Sequence, residues 1–346
     1  MVNTVKIDYK KGMESIENKF LRLPNIQKYE VDRKTEDGFI ASIEMDDGFT
    51  FKIYVYFVQQ AYPSTVIQLI EKKSNDTGVS ILVSPYISDR TAQICKENGM
   101  GYFDYAGNCW FVGHSIYLSE RGNKNPQPKQ CSAVSVFERS SVVSSLILRE
   151  LFADVTRVWK LKHLSEKVGC SIGQVSKVMV FLVKNAWAVK MTDGYVLSEP
   201  DAVLTEWSRT YGKKEIFSYP CYSLDNTSVL EGKLRKLKQD MGIETYLTGF
   251  SGGVRYAPVV RYNKVHVYIA PEDIREAIDY LGIKEVDSGA NVIIFPLEND
   301  SYIKDCRIVE GDMVVSPLQI YLDSMRLKGR GEEMAEAVMK KEIIKW

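Results

Sequence analysis

Between Thr156 and Lys190 the chain carries seven basic side chains, Arg157, Lys160, Lys162, Lys167, Lys177, Lys184 and Lys190, against one acid, Glu166. The whole chain is neutral, with 45 Lys and Arg balanced by 45 Asp and Glu. This window therefore concentrates positive charge in a way that suits a polyanion. Within it, Ser171, Gly173, Gln174, Ser176 and Lys177 bring short polar and basic groups to the start of one helix. Gln174 has the paired donor and acceptor that fit an adenine edge, and Lys177 can reach a guanine edge or a phosphate. Gly173 and Ser176 leave room for close backbone approach. Lys160, Lys162, Lys167, Lys184 and Lys190 are placed to meet phosphates, an attraction that weakens as salt rises. The partner this chemistry implies is double-stranded DNA.

The surrounding pattern supplies the elements such a helix needs. Ser140 to Phe152 and Lys160 to Val168 read as helices, Gly169-Cys170-Ser171 as a tight turn, and Ser171 as the N-cap of a third helix reaching about Asn185. Val175, Val178, Met179 and Leu182 form that helix's inner stripe. Ala188 to Met191 and Tyr195 to Ser198 then flank Thr192-Asp193-Gly194 as a two-stranded wing. This is the order of a winged helix-turn-helix, whose third helix enters the major groove. Trp159 and Trp187 are expected in its core and His163 at or near its surface. The competing reading is a protein-docking module that uses the same helix against a partner.

Composition bounds the rest. A chain of 346 residues with 45% hydrophobic and 26% charged residues is expected to be soluble and to hold two or three domains. No apolar run approaches the roughly 20 residues a bilayer crossing needs, and Asp8 and Lys10 interrupt any leader-like start, so a cytoplasmic, non-membrane protein is expected. The six cysteines are scattered and the histidines number three. Neither a disulfide framework nor a metal site is indicated, and no cofactor is expected.

Ahead of the basic module the pattern alternates helix and strand. Met13 to Leu23 is a helix; Ile26 to Arg33, Phe39 to Met45 and Phe49 to Val58 are strands, the last two joined at Asp46-Asp47-Gly48. A helix over Ser64 to Lys73, a buried strand at Val79 to Val83, a helix capped by Ser88, and strands at 101–104 and 109–112 complete the set. Residues 122–130 read as a linker. This order resembles the restriction-endonuclease core, in which carboxylates on adjacent strands hold a divalent metal. Asp46 and Asp47 occupy the expected junction, but Phe51-Lys52-Ile53-Tyr54-Val55-Tyr56 offers no carboxylate, so a degenerate, non-catalytic version is expected. The alternative is a metal-dependent nuclease using Asp46, Asp47 and Glu30 or Glu44.

Beyond residue 213 helices are expected at 229–241, 272–281, 316–326 and 332–344, with strands at 265–269 and 292–296, the latter buried throughout. Tyr246 to Gly253 resembles the glycine-serine turn of nucleotidyltransferase folds. The next strand, Lys264-Val265-His266-Val267-Tyr268, lacks the acids that metal-assisted phosphoryl transfer requires. A Gly-rich turn kept for close packing, with His266 as a sheet residue, is the simpler expectation.

Taken in order, Ser84-Pro85-Tyr86-Ile87-Ser88, Gly99, Tyr102, Asp104, Ala106-Gly107-Asn108, Val175-Ser176-Lys177-Val178, Tyr246-Leu247-Thr248-Gly249, Gln319-Ile320-Tyr321-Leu322-Asp323 and Gly329-Arg330-Gly331-Glu332-Glu333 resemble the AbiEi-type antitoxins and regulators of type IV toxin–antitoxin systems, over residues 80 to 340. The resemblance implies a bacterial DNA-binding autorepressor that counters a nucleotidyltransferase-like toxin. It implies DNA contacts at Ser171, Gln174, Ser176 and Lys177. A homodimer reading paired half-sites is expected. The combined expectation is a non-enzymatic α+β multidomain protein: a degenerate restriction-endonuclease-like domain (1–121), a winged helix-turn-helix (131–212) and a nucleotidyltransferase-like α/β domain (213–346).

Overall fold

The structure is a computed structural model that describes residues 8–72, 78–124, 136–138, 141–212 and 216–344. Most of the expected linker, from residue 125 onward, and Ser140 lie outside the described residues. The chain divides into two compact units, Met1–Ser132 with Leu182–Ala186, and Ala133–Phe181 with Trp187–Trp346. The expected second and third segments thus fall within one unit. Among the described residues no helix is long and apolar enough to cross a membrane.

The first unit runs α1 (Tyr9–Phe20), β1 (Ile26–Thr35), β2 (Gly38–Met45), β3 (Thr50–Phe57), α2 (Pro63–Glu71), β4 (Val79–Ser84), α3 (Asp89–Glu97), β5 (Gly101–Asp104), β6 (Cys109–Gly113) and β7 (Ile116–Glu120). Its seven strands lie in sequence order in one sheet. β3, β4 and β5 are parallel and the other neighbours antiparallel. α1 buries Ile16 and Phe20 among Phe39, Ile53, Phe103 and Phe111, while Val66, Ala92 and Cys95 from α2 and α3 cover a second core around Leu82 and Tyr102. β4 is apolar without alternation because both its faces are covered. The Ser88 hydroxyl accepts from Thr91 N at 3.2 Å and caps α3 as its residue type demands. Asp104 is buried and accepts from Ala106 N and Asn108 N, each at 2.9 Å, and from Asn108 Nδ2 at 2.8 Å. The Asp104–Asn108 motif is therefore a self-satisfied loop; burial raises the Asp104 pKa, and the three hydrogen bonds oppose the rise.

The second unit contains α4 (Val142–Ala153), α5 (Leu161–Val168), α6 (Ile172–Lys184), β8 (Ala188–Met191), β9 (Gly194–Leu197) and α7 (Pro200–Tyr211), with the last turn of α6 grouped in the first unit. It continues through β10 (Tyr219–Tyr222), α8 (Thr227–Met241), β11 (Thr245–Leu247), α9 (Gly249–Tyr256), β12 (Val265–Ile269), α10 (Ile274–Leu281), β13 (Lys284–Glu285), β14 (Val292–Pro296), β15 (Arg307–Val309), β16 (Asp312–Val314), α11 (Pro317–Ser324) and α12 (Gly331–Val338). A mixed seven-stranded sheet in the order β13-β10-β14-β12-β11-β16-β15 forms its floor. β12 is buried at every position, as a central strand should be, but β14 alternates between buried and half-buried residues instead of being enclosed throughout. One face of β14 is less completely covered than its apolar run suggests.

The Tyr246–Gly253 segment is not a free turn. It is the end of β11 followed by the first half of α9, and its glycines serve contact distance. A Cβ on Gly252 would fall 2.7 Å from the Leu247 carbonyl oxygen and 2.6 Å from Ile320 Cδ1, and one on Gly253 would fall 2.5 Å from Met334 Sδ. α9 thus lies directly against β11, α11 and α12. Gly252→Ala should destabilise the protein by about 1–3 kcal/mol through overpacking against fixed backbone; urea unfolding that shows an unchanged midpoint would mean the helix has room to move.

Candidate nucleic-acid interface

The helices α4, α5 and α6 and the β8–β9 pair form where the sequence calls for them. Gly169 adopts the left-handed conformation at φ 74° and ends α5, and the buried stripe Val175, Val178 and Met179 turns α6 inward. The wing β8–β9 gains a third edge: Trp159 N donates to Tyr195 O at 2.7 Å and Tyr195 N to Trp159 O at 2.9 Å. Gly194 stands there because a Cβ would lie 2.5 Å from the Trp159 carbonyl. Trp159 and Trp187 are both 3% exposed, as expected for core residues, and His163 is exposed.

Ser171, Ile172, Gly173, Gln174 and Lys177 are exposed at the start of α6, and Ser176 is half-buried. Gln174, however, is not a free reader. Its Oε1 accepts from both Ser171 N and Ser171 Oγ at 3.0 Å, while Gln174 N donates to Ser171 Oγ at 3.2 Å. This is a capping box, which satisfies otherwise orphaned donors at the helix start. The amide oxygen that a two-point adenine contact would use is already engaged, so such a contact requires the cap to open.

The lysines divide by partner. Lys167 faces Glu150 at 3.8 Å, and Lys162 lies 3.9 Å from Glu166 one turn on. Arg157 stacks its guanidinium 4.1 Å from the Trp159 ring centre. Lys160, Lys177 and Lys190 are exposed and carry no ion pair among the described residues. Lys184, also exposed, belongs to the α6 turn grouped with the first unit. A surface pair costs little to open, about 0–1 kcal/mol, so the fully available cations are Lys160, Lys177 and Lys190, with Lys162 and Lys167 available at small cost.

The residues singled out for metal chemistry do not assemble. Asp46 and Asp47 sit exposed at the tip of the β2–β3 hairpin, where Asp47 Oδ1 accepts from Phe49 N at 2.9 Å. Glu30 pairs with Lys28 at 2.5 Å on the exposed β1 strand. Among the described residues no group of three or more His, Cys, Asp or Glu is arranged to hold a metal ion.

His266 on β12 is 3% exposed. Its ring lies between Phe250 and Phe295, at centroid distances of 5.7 and 6.3 Å. Its backbone N donates to Ser251 Oγ at 2.9 Å, yet its Nδ1 is buried with no hydrogen-bond partner. Burial, with Lys264 nearby, lowers its pKa to about 4.

A polar network ties α4 to α11 and to β12. Arg149 of α4 is buried and donates to Gln319 Oε1 of α11, with Ser145 Oγ at 3.3 Å and Ser316 Oγ at 3.4 Å as further partners. Gln319 Nε2 in turn donates to Asp323 Oδ1 and to Tyr211 OH, each at 2.9 Å. Thr248 Oγ1 and Tyr268 OH complete the shell around Asp323 at 2.6 and 3.0 Å.

Residues 196–344 match the family model described as transcriptional regulator, AbiEi antitoxin, type IV TA system. Over these residues the chain is similar to that family. No curated protein matches the chain. The AbiEi segment starts in the wing and includes α7, the mixed sheet and α11, hence Gln319 and Asp323 of the network; the basic helix α6 and Arg149 precede it.

Two outcomes follow. Gln174→Ala removes the capping box and should cost about 1 kcal/mol of stability; calorimetry showing no loss would mean that the box is not formed in solution. The depressed pKa of His266 means that between about 4 and its ordinary 6.5 the unfolded chain holds a proton the folded one lacks, so stability falls as pH drops through that window. From pH 7 to pH 5 the histidine should account for about 2 kcal/mol, measurable as the extra loss of wild type relative to His266→Phe in phosphate-free buffer. Equal losses would show that the ring protonates freely in the fold.

Proposed function

We propose that this chain is a DNA-binding transcriptional regulator acting as the autorepressing antitoxin of a type IV toxin–antitoxin system, with a nucleotidyltransferase-like toxin as its counterpart. The observation that carries the DNA reading is the exposed start of α6 with Lys177 on it, and the exposed Lys160 and Lys190 in the same basic window of a chain that is neutral as a whole. In this reading α6 occupies the major groove, Lys177 and Ser176 meet base edges, and Lys160, Lys162, Lys167, Lys184 and Lys190 meet phosphates. Gly173 lets the backbone approach, and Ser171 with Gln174 holds the helix start rigid. The exposed Ile172 and Val180 offer apolar contacts of the kind a thymine methyl takes. Two copies of the chain would read paired half-sites. The family match supports the regulator and antitoxin roles.

The first unit is read as non-catalytic. Its third strand offers Lys52 but no carboxylate near the Asp46–Asp47 tip, so a nuclease has no second acidic ligand for a metal.

The test is titration of the DNA upstream of the chain's own gene by fluorescence anisotropy across a salt series. Lys177→Ala should weaken binding by about 1–3 kcal/mol at the specific site, whereas Lys190→Ala should reduce the salt slope by about one without changing sequence preference. If the double variant Lys177→Ala/Lys190→Ala binds that DNA as wild type does, at every salt, the module docks something other than DNA.

A further inference from the structure

A cavity of about 500 Å³ opens in the second unit beside the start of α9, lined in part by Gly249, Phe250, His266, Phe295 and Asp323. Its volume falls in the range of small-molecule sites. Five cations line it as well: Arg261, Lys264, Arg326, Lys328 and Arg330. Arg330 is offset by Glu333 at the surface, but Arg261, Lys264 and Lys328 are exposed and make no ion pair among the described residues. The single acid of the lining, Asp323, has both oxygens occupied by Thr248, Tyr268 and Gln319. Like charges around one cavity repel one another, and an anion relieves the repulsion.

The wall geometry narrows the anion. Thr248 is the N-cap of the eight-residue α9, but its hydroxyl is turned to Asp323 and makes no cap hydrogen bond. The first-turn N–H groups of α9 are left to a ligand, in the arrangement that holds phosphate at helix starts. An independent observation points to the same place: His266, buried in the cavity lining, leaves Nδ1 without a partner, a costly state for a polar atom unless a ligand completes it. Phe250, Tyr262 and Phe295 give the same cavity flat apolar walls, suited to a ring. We propose that this cavity binds a phosphorylated small molecule of the nucleotide class, its phosphates held by the α9 start and the basic rim without a bridging metal ion, and its ring by the aromatic walls.

The metal-free part follows from the lining, which supplies cations where metal-assisted sites supply carboxylates. A duplex phosphate, carried on a wide cylinder, reaches the rim at Arg261 and Lys328 but not the buried imidazole. A small ligand fits within the cavity that His266 lines. The larger depression of about 730 Å³ lined by Val142, Leu146, Glu298, Asp300 and Lys304 has acids in excess and no orphaned polar atom, so the same argument does not apply there. The inference stands apart from the DNA reading, since none of its residues lies on α6.

The experiment is isothermal titration of the full chain in EDTA-containing buffer with ATP, inorganic tripolyphosphate and adenosine, repeated with Arg261→Ala/Lys328→Ala, whose exposed side chains can be removed without disturbing the core. ATP should bind wild type. Tripolyphosphate and adenosine should each bind at least tenfold more weakly, and the double variant should lose at least tenfold in ATP affinity while its thermal midpoint stays put. Absence of ATP binding to wild type, equal ATP affinity in the variant, or tripolyphosphate binding as tightly as ATP would each overturn the proposal. A variant that loses affinity for DNA where wild type ignores ATP would reassign the rim to duplex phosphates and overturn it equally.

Discussion

The second unit is organised around a guanidinium that touches no carboxylate. Arg149 is buried, its direct partners are the neutral side chains of Gln319, Ser145 and Ser316, and its counter-charge, Asp323, is reached only through the Gln319 amide. Burial lowers the Arg149 pKa and raises that of Asp323, each against the pull of its hydrogen bonds or nearby opposite charge. Such an arrangement is tolerated only when every member is placed, because removing one leaves an uncompensated charge at a cost of about 3–5 kcal/mol. Since Arg149 sits on α4 and Gln319 and Asp323 on α11, this condition fixes α4 to α11. The winged module and the sheet therefore belong to one compact unit even though they read as separate segments.

Charge is segregated accordingly. A neutral chain can present a basic face only by collecting its acids elsewhere. Here Glu231 and Asp312 are spent inside the second unit on Arg255, with Nη2 to oxygen distances of 2.7 and 2.8 Å. Glu150 holds Lys167 and Lys304 behind α5 at 3.8 and 3.6 Å. Among the described residues Lys160, Lys177 and Lys190 make no ion pair, nor, on another part of the same unit, do Arg261, Lys264 and Lys328. The capping box at Ser171 and Gln174 serves the first of these surfaces indirectly: a helix start that does not fray keeps Ser176 and Lys177 at a defined height above the rim.

The regular elements of this fold were legible wherever pattern and punctuation agreed. The Asp46-Asp47-Gly48 hairpin, the Ser88 and Ser171 caps and the turn at Gly169 announced themselves because each residue type has a specific backbone task. β7 was missed because its hairpin turn is built from His114 and Ser115, both at positive φ, 49° and 65°, where Asn or Gly would normally signal it. α9 was hidden by its three glycines, which argue against a helix by propensity; Gly252 and Gly253 are kept because β11, Ile320 and Met334 leave no room for a Cβ, and Gly249 because its φ is +50°. α7 escaped notice although Pro200 stands in its first turn, because no further domain element was expected between the wing and the sheet. The exposed residues of α6 were legible from spacing, but the engagement of Gln174 by Ser171 was not, since the residue pair that makes a good reader also makes a good cap. Nothing in the local pattern marked Arg149 as the partner of Gln319, 170 positions away; long-range polar networks leave no periodic trace.

The basic cavity and the network meet at Asp323, which lines the one and anchors the other. Thr248 illustrates the consequence. By donating to Asp323 instead of capping its own helix, it completes the buried network and at the same time leaves the α9 start open. A single hydroxyl thus trades local helix stability for the rigidity of the unit and for an anion cradle. Because the network makes the winged module and the sheet one cooperative body, a ligand that binds the folded cradle stabilises both together by mass action. The free energy available from such a ligand is therefore applied to α4 as well as to the sheet, through Asp323, Gln319 and Arg149.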